Sequence, residues 1–269
     1  MISRPKYLAE FNKPPINEVV LGAQFSIPSS YNQIYAYKIW ELFKDDFPSV
    51  EIHSPLEPTF ETFGFPISQK VGINVLSGGR HDRFWFISDD SRELIQFQED
   101  RLLHNWRKDP DPNHTYPRYE YIREKFEAEL SRVEDFFVSL DQQHLMCNQA
   151  EITYINIFKI QDSGLCRLDE WVRFLDFSPF SPDDYSSWWS DTILDEDENP
   201  IARLSCEMKT GYNQEREKIA NISLTVRGKP HSGNISSTLD FLDMGREIIV
   251  DRFSKITTEK AHNVWERVK

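Results

Sequence analysis

Two β-branched segments of alternating polarity, INEVVLGAQFSI at residues 16–27 and QAEITYINIFKI at 149–160, most constrain what this chain can fold into. In the first, Val19, Leu21, Ala23 and Phe25 fall on one side of an extended strand. Each segment is followed, some way along the chain, by a pair of strand-like runs and then by one long amphipathic stretch. In the first half the pair is RFWFISDD and RELIQFQED, with Asp89, Asp90 and Ser91 between them. This reads as an antiparallel hairpin whose second strand continues through Leu103 to Trp106. The helix after it has Pro117 in its first turn and a stripe of Ile122, Phe126, Leu130, Val133, Phe137 and Leu140. In the second half ARLSCEMKTGY and KIANISLTVRG form a hairpin, and SSTLDFLDMGREIIVDRFSKI forms the helix. The pattern predicts an α+β fold of two similar halves, residues 1–145 and 146–269, each a small antiparallel sheet with a long packed helix.

Set one above the other, the two opening segments match Glu18 with Glu151, Val19 with Ile152, Phe25 with Phe158 and Ile27 with Ile160. Duplication is one account of this match, and the shared composition of strands is the other. The symmetry is broken by an excursion at 161–200, rich in Trp, Phe and Pro, which reads as a cover for the core rather than a lid. Residues 1–15 are an extended lead-in, since Pro5, Pro14 and Pro15 oppose helix. A serine after Pro28 is placed to cap a helix carrying Tyr35, Ile39, Leu42, Phe43 and Phe47. Residues 50–80 divide into an edge strand and loops, with Gly78-Gly79 as a turn. Thr257 or Thr258 caps a last short helix carrying Ala261, Val264 and Trp265.

A chain of 269 residues with 39% hydrophobic and 13% aromatic content is globular. No apolar run approaches the roughly 18 residues that span a bilayer, and the N-terminus lacks a leader pattern, so the expected location is cytoplasmic and no membrane partner is expected. The three cysteines, Cys147, Cys166 and Cys206, fit neither a disulfide framework nor a zinc ribbon. With 44 acids against 31 bases the net charge is −13, which disfavours nucleic acid as a partner.

Against that acidic background one stretch gathers bases, FQEDRLLHNWRKDPDPNHTYPRYEY at 97–121, between the end of a strand and the start of the long helix. Asn105 and Arg107 share one side of an extended strand, and Trp106 takes the other. Arginine grips a carboxylate or phosphate through paired hydrogen bonds, and Trp106, Tyr116 and Tyr119 supply flat walls. Asn105, Trp106, Arg107, Tyr116, Arg118 and Tyr119 are therefore the candidate binding residues. The same residues also suit a purely structural corner that stitches a helix to a sheet. His104 and His114 flank the prolines and could converge, but the histidines lack metal-ligand spacing and a satisfied or solvent-facing role is the better reading of both. There is no phosphate-binding loop and no nucleophile elbow, and the spacing of His144 and Cys147 suits a helix end without implying a catalytic pair. Asp183, Glu207 and Lys209 occur in the order of a restriction-type nuclease motif, in which acids hold a divalent cation and a lysine positions water.

The segments FNKPPINEVVLGAQF, LLHNWRK followed by YPRYEYIREKFEAEL, EITYINIF, and DMGREIIVDRFSKITTEKAHNVWER together resemble a sporadically distributed family of uncharacterised bacterial proteins of similar length. Ile157 after Asn156 stands where many members carry histidine. The resemblance implies a setting in mobile or defence-associated gene neighbourhoods and no particular chemistry. The reading that follows is a non-enzymatic interaction or regulatory module of a bacterial stress or defence system. It binds a protein partner or an anionic small ligand at the Asn105 to Tyr119 corner, needs no cofactor or metal, and leaves homo-oligomerisation open. The alternative is a metal-dependent nuclease using Asp183, Glu207 and Lys209.

Overall fold

A computed structural model describes residues 7–64, 82–109, 115–180 and 182–269. The Gly78-Gly79 turn, His114 and the prolines at 110 and 112 lie outside the described residues. The chain runs β1 (Ile16–Phe25), α1 (Tyr35–Glu41), β2 (Ser49–His53), β3 (Arg83–Ile87), β4 (Glu93–Gln98), β5 (Arg101–Arg107) and α2 (Tyr119–Asp141). It continues β6 (Cys147–Lys159), β7 (Ser186–Leu194), β8 (Pro200–Tyr212), β9 (Lys218–Gly228), α3 (Ile235–Ile256) and α4 (Glu259–Val264). The fold is α+β, and the two small sheets expected from sequence are merged. One nine-stranded sheet runs β2-β3-β4-β5-β1-β6-β9-β8-β7, antiparallel at every step.

The merger occurs where β1 pairs with β6, from Ile16↔Asn156 to Phe25↔Cys147. Outward from this join both halves run in the same order: first strand, last strand, last but one, last but two. The helix that follows the last strand of each half, α2 or α3, lies over the middle of the sheet. The expected stripe on α2 holds for Ile122, Phe126, Leu130, Val133 and Phe137, all fully buried, while Leu140 lies outside it and is exposed. Helix α3 approaches more closely. A Cβ on Gly245 would lie 2.6 Å from Ile152 Cγ2, so glycine is what lets that helix seat on β6 and β9.

Four expectations need correction. The second strand of the first hairpin does not run on to Trp106. It stops at Gln98, and a two-residue turn, Glu99-Asp100, starts β5. The turn has no glycine to announce it, and Asp100 holds it by accepting from Gln98 Nε2 at 3.0 Å and Arg101 Nε at 2.9 Å. The 161–200 excursion contains a full strand, β7, paired along β8. Its first part is a cover, since Trp171 is fully buried and packs on Phe158 and Trp265. Finally, Pro117 precedes α2 instead of joining its first turn, and α1 takes no serine cap.

The face opposite the long helices is partly covered by residues 54–64. Pro55 and Pro58 deny this segment a regular ladder, and glutamines of the sheet replace it. Leu56 N donates to Gln98 Oε1 at 2.8 Å, Thr59 N to Gln24 Oε1 at 3.0 Å and Glu61 N to Gln149 Oε1 at 3.2 Å. Arg203 completes the anchoring by donating to Glu61 Oε2 and to the Thr62 carbonyl, both at 2.8 Å. This explains why three glutamines of the sheet are buried.

At the far end, α4 is capped by Thr258, whose Oγ1 accepts from Ala261 N at 3.2 Å. His262, a residue of this helix, is 1% exposed. Arg267 Nη1 donates to its Nδ1 at 3.0 Å, so Nε2 carries the proton and donates to Thr257 Oγ1 at 2.8 Å. Thr257 in turn donates to the Phe253 carbonyl at 2.7 Å. Burial, and then Arg267, hold the imidazole pKa below its ordinary value, while Glu259 opposes them.

Two outcomes follow. Gly245→Val should cost about 2 kcal/mol in denaturant unfolding, because a β-branched residue there must displace Ile152. The folded imidazole binds a proton less readily than the unfolded one, so this contribution to stability is full above about pH 6.5 and falls as the pH drops below it. A melting-temperature profile of His262→Gln should therefore show a shallower acid limb than wild type as the pH falls below about 6.5.

Candidate functional site

Strand β5 ends at the corner singled out in the sequence, and its period of two divides that corner. Leu102, His104 and Trp106 pair beside Ala23, Leu21 and Val19 of β1 on the helix-covered face. Asn105 and Arg107 point to the opposite face, as expected. The six candidates consequently form two groups separated by the thickness of the sheet. Asn105 and Arg107 are on the open face, and Trp106, Tyr116, Arg118 and Tyr119 are on the helix side.

On the open face a chain of hydrogen bonds crosses four strands. Arg83 Nη1 donates to Gln96 Oε1 at 2.8 Å, Gln96 Nε2 to Asn105 Oδ1 at 2.8 Å, and Asn105 Nδ2 to Glu18 Oε1 at 2.6 Å. A guanidinium at one end and a carboxylate at the other fix the direction of both amides. Beside this chain stands Trp85, stacked on His53 at 3.9 Å between centroids. The guanidinium carbons of Arg83 and Arg107 lie 5.6 and 6.0 Å from its ring. Three buried donors in this group, Arg83 Nε, Arg107 Nε and Trp85 Nε1, have no acceptor among the described residues. Burial, and then Arg101, depress the pKa of Arg83, the mark of a cation held in a positive and partly dry setting.

On the helix side a narrow cleft opens between the lead-in, the start of α2 and the flank of α3. Its lining includes Phe11, Pro14, Tyr116, Arg118, Tyr154 and Arg246. Trp106 stands behind Tyr116, with ring centroids 5.2 Å apart. The hydroxyls of Tyr116 and Tyr154 lie 3.2 Å apart, and Tyr119 donates to Asp243 at 2.7 Å. Burial, ahead of these neighbours, raises the pKa of Tyr116 and Tyr119 well above the usual phenol value. Arg246, 4% exposed, donates through Nη2 to Glu120 at 3.1 Å and lies over the Tyr119 ring. Arg118 has φ 78° and ψ 156°, a backbone region that is nearly restricted to glycine.

Other candidates assemble less well. Glu207 and Lys209 lie two apart on β8 and form an ion pair with each other at the surface, and Asp183 is exposed in the loop before β7. Among the described residues no three His, Cys, Asp or Glu side chains form a group that could hold a metal ion. His104 is neither solvent-facing nor fully satisfied. It is completely buried, with Nδ1 2.9 Å from Glu129 Oε1, while its Nε2 has no partner among the described residues. His144 is exposed and sits 3.3 Å from Glu134, whereas Cys147 is buried. No helix among the described residues is long and apolar enough to cross a membrane.

No family model matches the chain, and no curated protein matches it.

The residues that sequence reasoning missed, Arg83, Trp85 and Gln96 on one face and Tyr154, Asn156 and Arg246 on the other, share a cause. The alternation of RFWFI does place Arg83 and Trp85 on one side, but nothing local tells which side of a strand stays open. Arg246 faces the cleft from more than 100 residues further along the chain.

The thiols give a direct check on burial. Burial pushes Cys147 up to about 11 and Cys206 up to about 12, whereas Cys166 is exposed. A colorimetric thiol reagent at about pH 8 should titrate one equivalent quickly in the folded protein and the other two only on unfolding.

Proposed function

We propose that the chain is a non-enzymatic binding or regulatory module whose ligand is a small oxyanion-bearing molecule held on the open face of the sheet. The observation that carries this reading is the set of unpartnered donors around Trp85. Buried N–H groups are nearly always paired, and three orphans in one group call for an acceptor that the described chain does not provide. Neither Arg83 nor Arg107 has a carboxylate within ion-pair distance among the described residues, so an anion would meet two uncompensated charges. Asn105 belongs to the supporting chain, since it ties Gln96, and through it Arg83, to Glu18.

A protein partner presenting an acidic side chain would meet the same donors. The matching strand order of residues 1–145 and 146–269 supports reading the halves as copies of one unit. A role in bacterial stress or defence rests on the resemblance of the quoted segments. The nuclease reading has weaker support, because Lys209 is engaged by Glu207.

Calorimetric titration at low ionic strength with phosphate, pyrophosphate, sulfate and citrate tests the proposal. One or more should bind saturably and quench tryptophan emission. Arg107→Ala should weaken binding by about 10- to 100-fold, from the loss of charge-assisted hydrogen bonds. Its melting temperature should stay within about 2 °C of wild type. Absence of saturable binding, or equal binding by the variant, overturns the reading.

A further inference from the structure

The helix-side cleft lies across the sheet from the Trp85 group, and its chemistry differs. Phe11, Pro14, Pro15, Ile249 and Phe253 are among its apolar lining, and Tyr116, Arg118, Tyr154 and Arg246 are among its polar lining. The space it encloses is small, about 50 Å³, so an apolar wall beside cationic groups here suits only a short molecule with an apolar body and one polar end.

The charges identify that end. Arg246 is met by Glu120. Asp243 accepts from Tyr119 and from Arg123 Nε at 3.0 Å. Arg118 has no carboxylate within ion-pair distance among the described residues, and its one hydrogen bond, from Nη1 to the Phe11 carbonyl, is long at 3.4 Å. The acids described beside the cleft are thus committed to other cations, and among the described residues one guanidinium has no counter-charge. One surplus positive charge in an apolar setting suits a monoanion. The planar fork of arginine suits a carboxylate in particular.

The backbone makes the same residue conspicuous. At φ 78° and ψ 156° Arg118 occupies a region that costs a residue with a Cβ on the order of 1–3 kcal/mol and costs glycine little. Starting α2 does not call for arginine there: the N-cap position makes no side-chain cap bond. Glycine would start the helix with less strain. What glycine lacks is the guanidinium in the cleft.

We propose that the cleft between the lead-in, α2 and α3 binds a small monocarboxylate with an aromatic or aliphatic body, with Arg118 gripping the carboxylate. The ligand's apolar part lies against Phe11 and Phe253, and Tyr116 and Tyr154 form the polar floor. This site is independent of the open-face reading, and either can fail alone.

The test separates grip from scaffold, because one substitution moves binding and stability in opposite directions. Phenylacetate, 3-phenylpropionate and hexanoate are titrated by ligand-observed NMR, with 2-phenylethanol as the uncharged control. Wild type should bind at least one of the acids saturably and the alcohol at least tenfold more weakly. Arg118→Gly should weaken carboxylate binding tenfold or more while the melting temperature of the unliganded protein rises by about 3 °C, the strain having been relieved. Arg118→Lys, which keeps charge and strain but loses the fork, should bind with intermediate affinity and melt like wild type. The proposal is overturned if none of the acids binds, if the alcohol binds as well as the acids, or if Arg118→Gly binds undiminished. A lower melting temperature for Arg118→Gly also overturns it, since Arg118 would then be serving the fold.

Discussion

Everything in this molecule depends on the ladder between β1 and β6. Each is the first strand of its half, and joining them edge to edge leaves neither half with a free edge at the centre. The register, Val20 opposite Thr153 near the middle, puts Val19 and Leu21 on the same side as Ile152 and Tyr154. One continuous apolar surface results, and α2 and α3 are drawn onto it side by side. Their contact is polar where it reaches solvent, with Asp243 of α3 taking both Tyr119 and Arg123 of α2. The helix-side cleft lies where these helices meet the lead-in, so it follows from the central ladder.

Most of the fold was legible because its elements obey one period each. The alternation of INEVVLGAQF marks β1, and the stripe from Ile122 to Phe137 marks α2, for the reason that each has one buried face. Legibility failed where a tertiary contact replaced a local signal. Glu99-Asp100 turns the chain without glycine because the side chains of Gln98 and Arg101 converge on one carboxylate. Strand β7 hides in SSWWSDTIL because it is an edge strand with much of its surface exposed, and its apolar alternation is faint.

The candidate corner was half legible for a related reason. Period two separates Asn105 and Arg107 from Trp106, and the sequence shows that much. It does not show that Trp85, twenty residues before Asn105, returns two strands away to stand beside Arg107, or that Arg246 arrives from the other half. Proximity in sequence made one site of six residues. The sheet divides those six residues into two groups, each joined by residues from distant strands or helices.

Arg107 and Arg118 are each held at a cost, and the costs differ in kind. The penalty at Arg107 is solvation, since a buried N–H without an acceptor loses its water and gains nothing in return. The penalty at Arg118 is conformational, since the backbone must hold a Cβ where glycine belongs. A shorter side chain would relieve the first, and glycine would relieve the second. In an acidic chain of net charge −13, carboxylates to neutralise stray guanidinium groups are plentiful, yet none stands within ion-pair distance of either arginine among the described residues. Two penalties of different origin, on residues eleven positions apart and on opposite faces, are hard to explain as scaffold. They are the observations on which the two proposed anion sites rest.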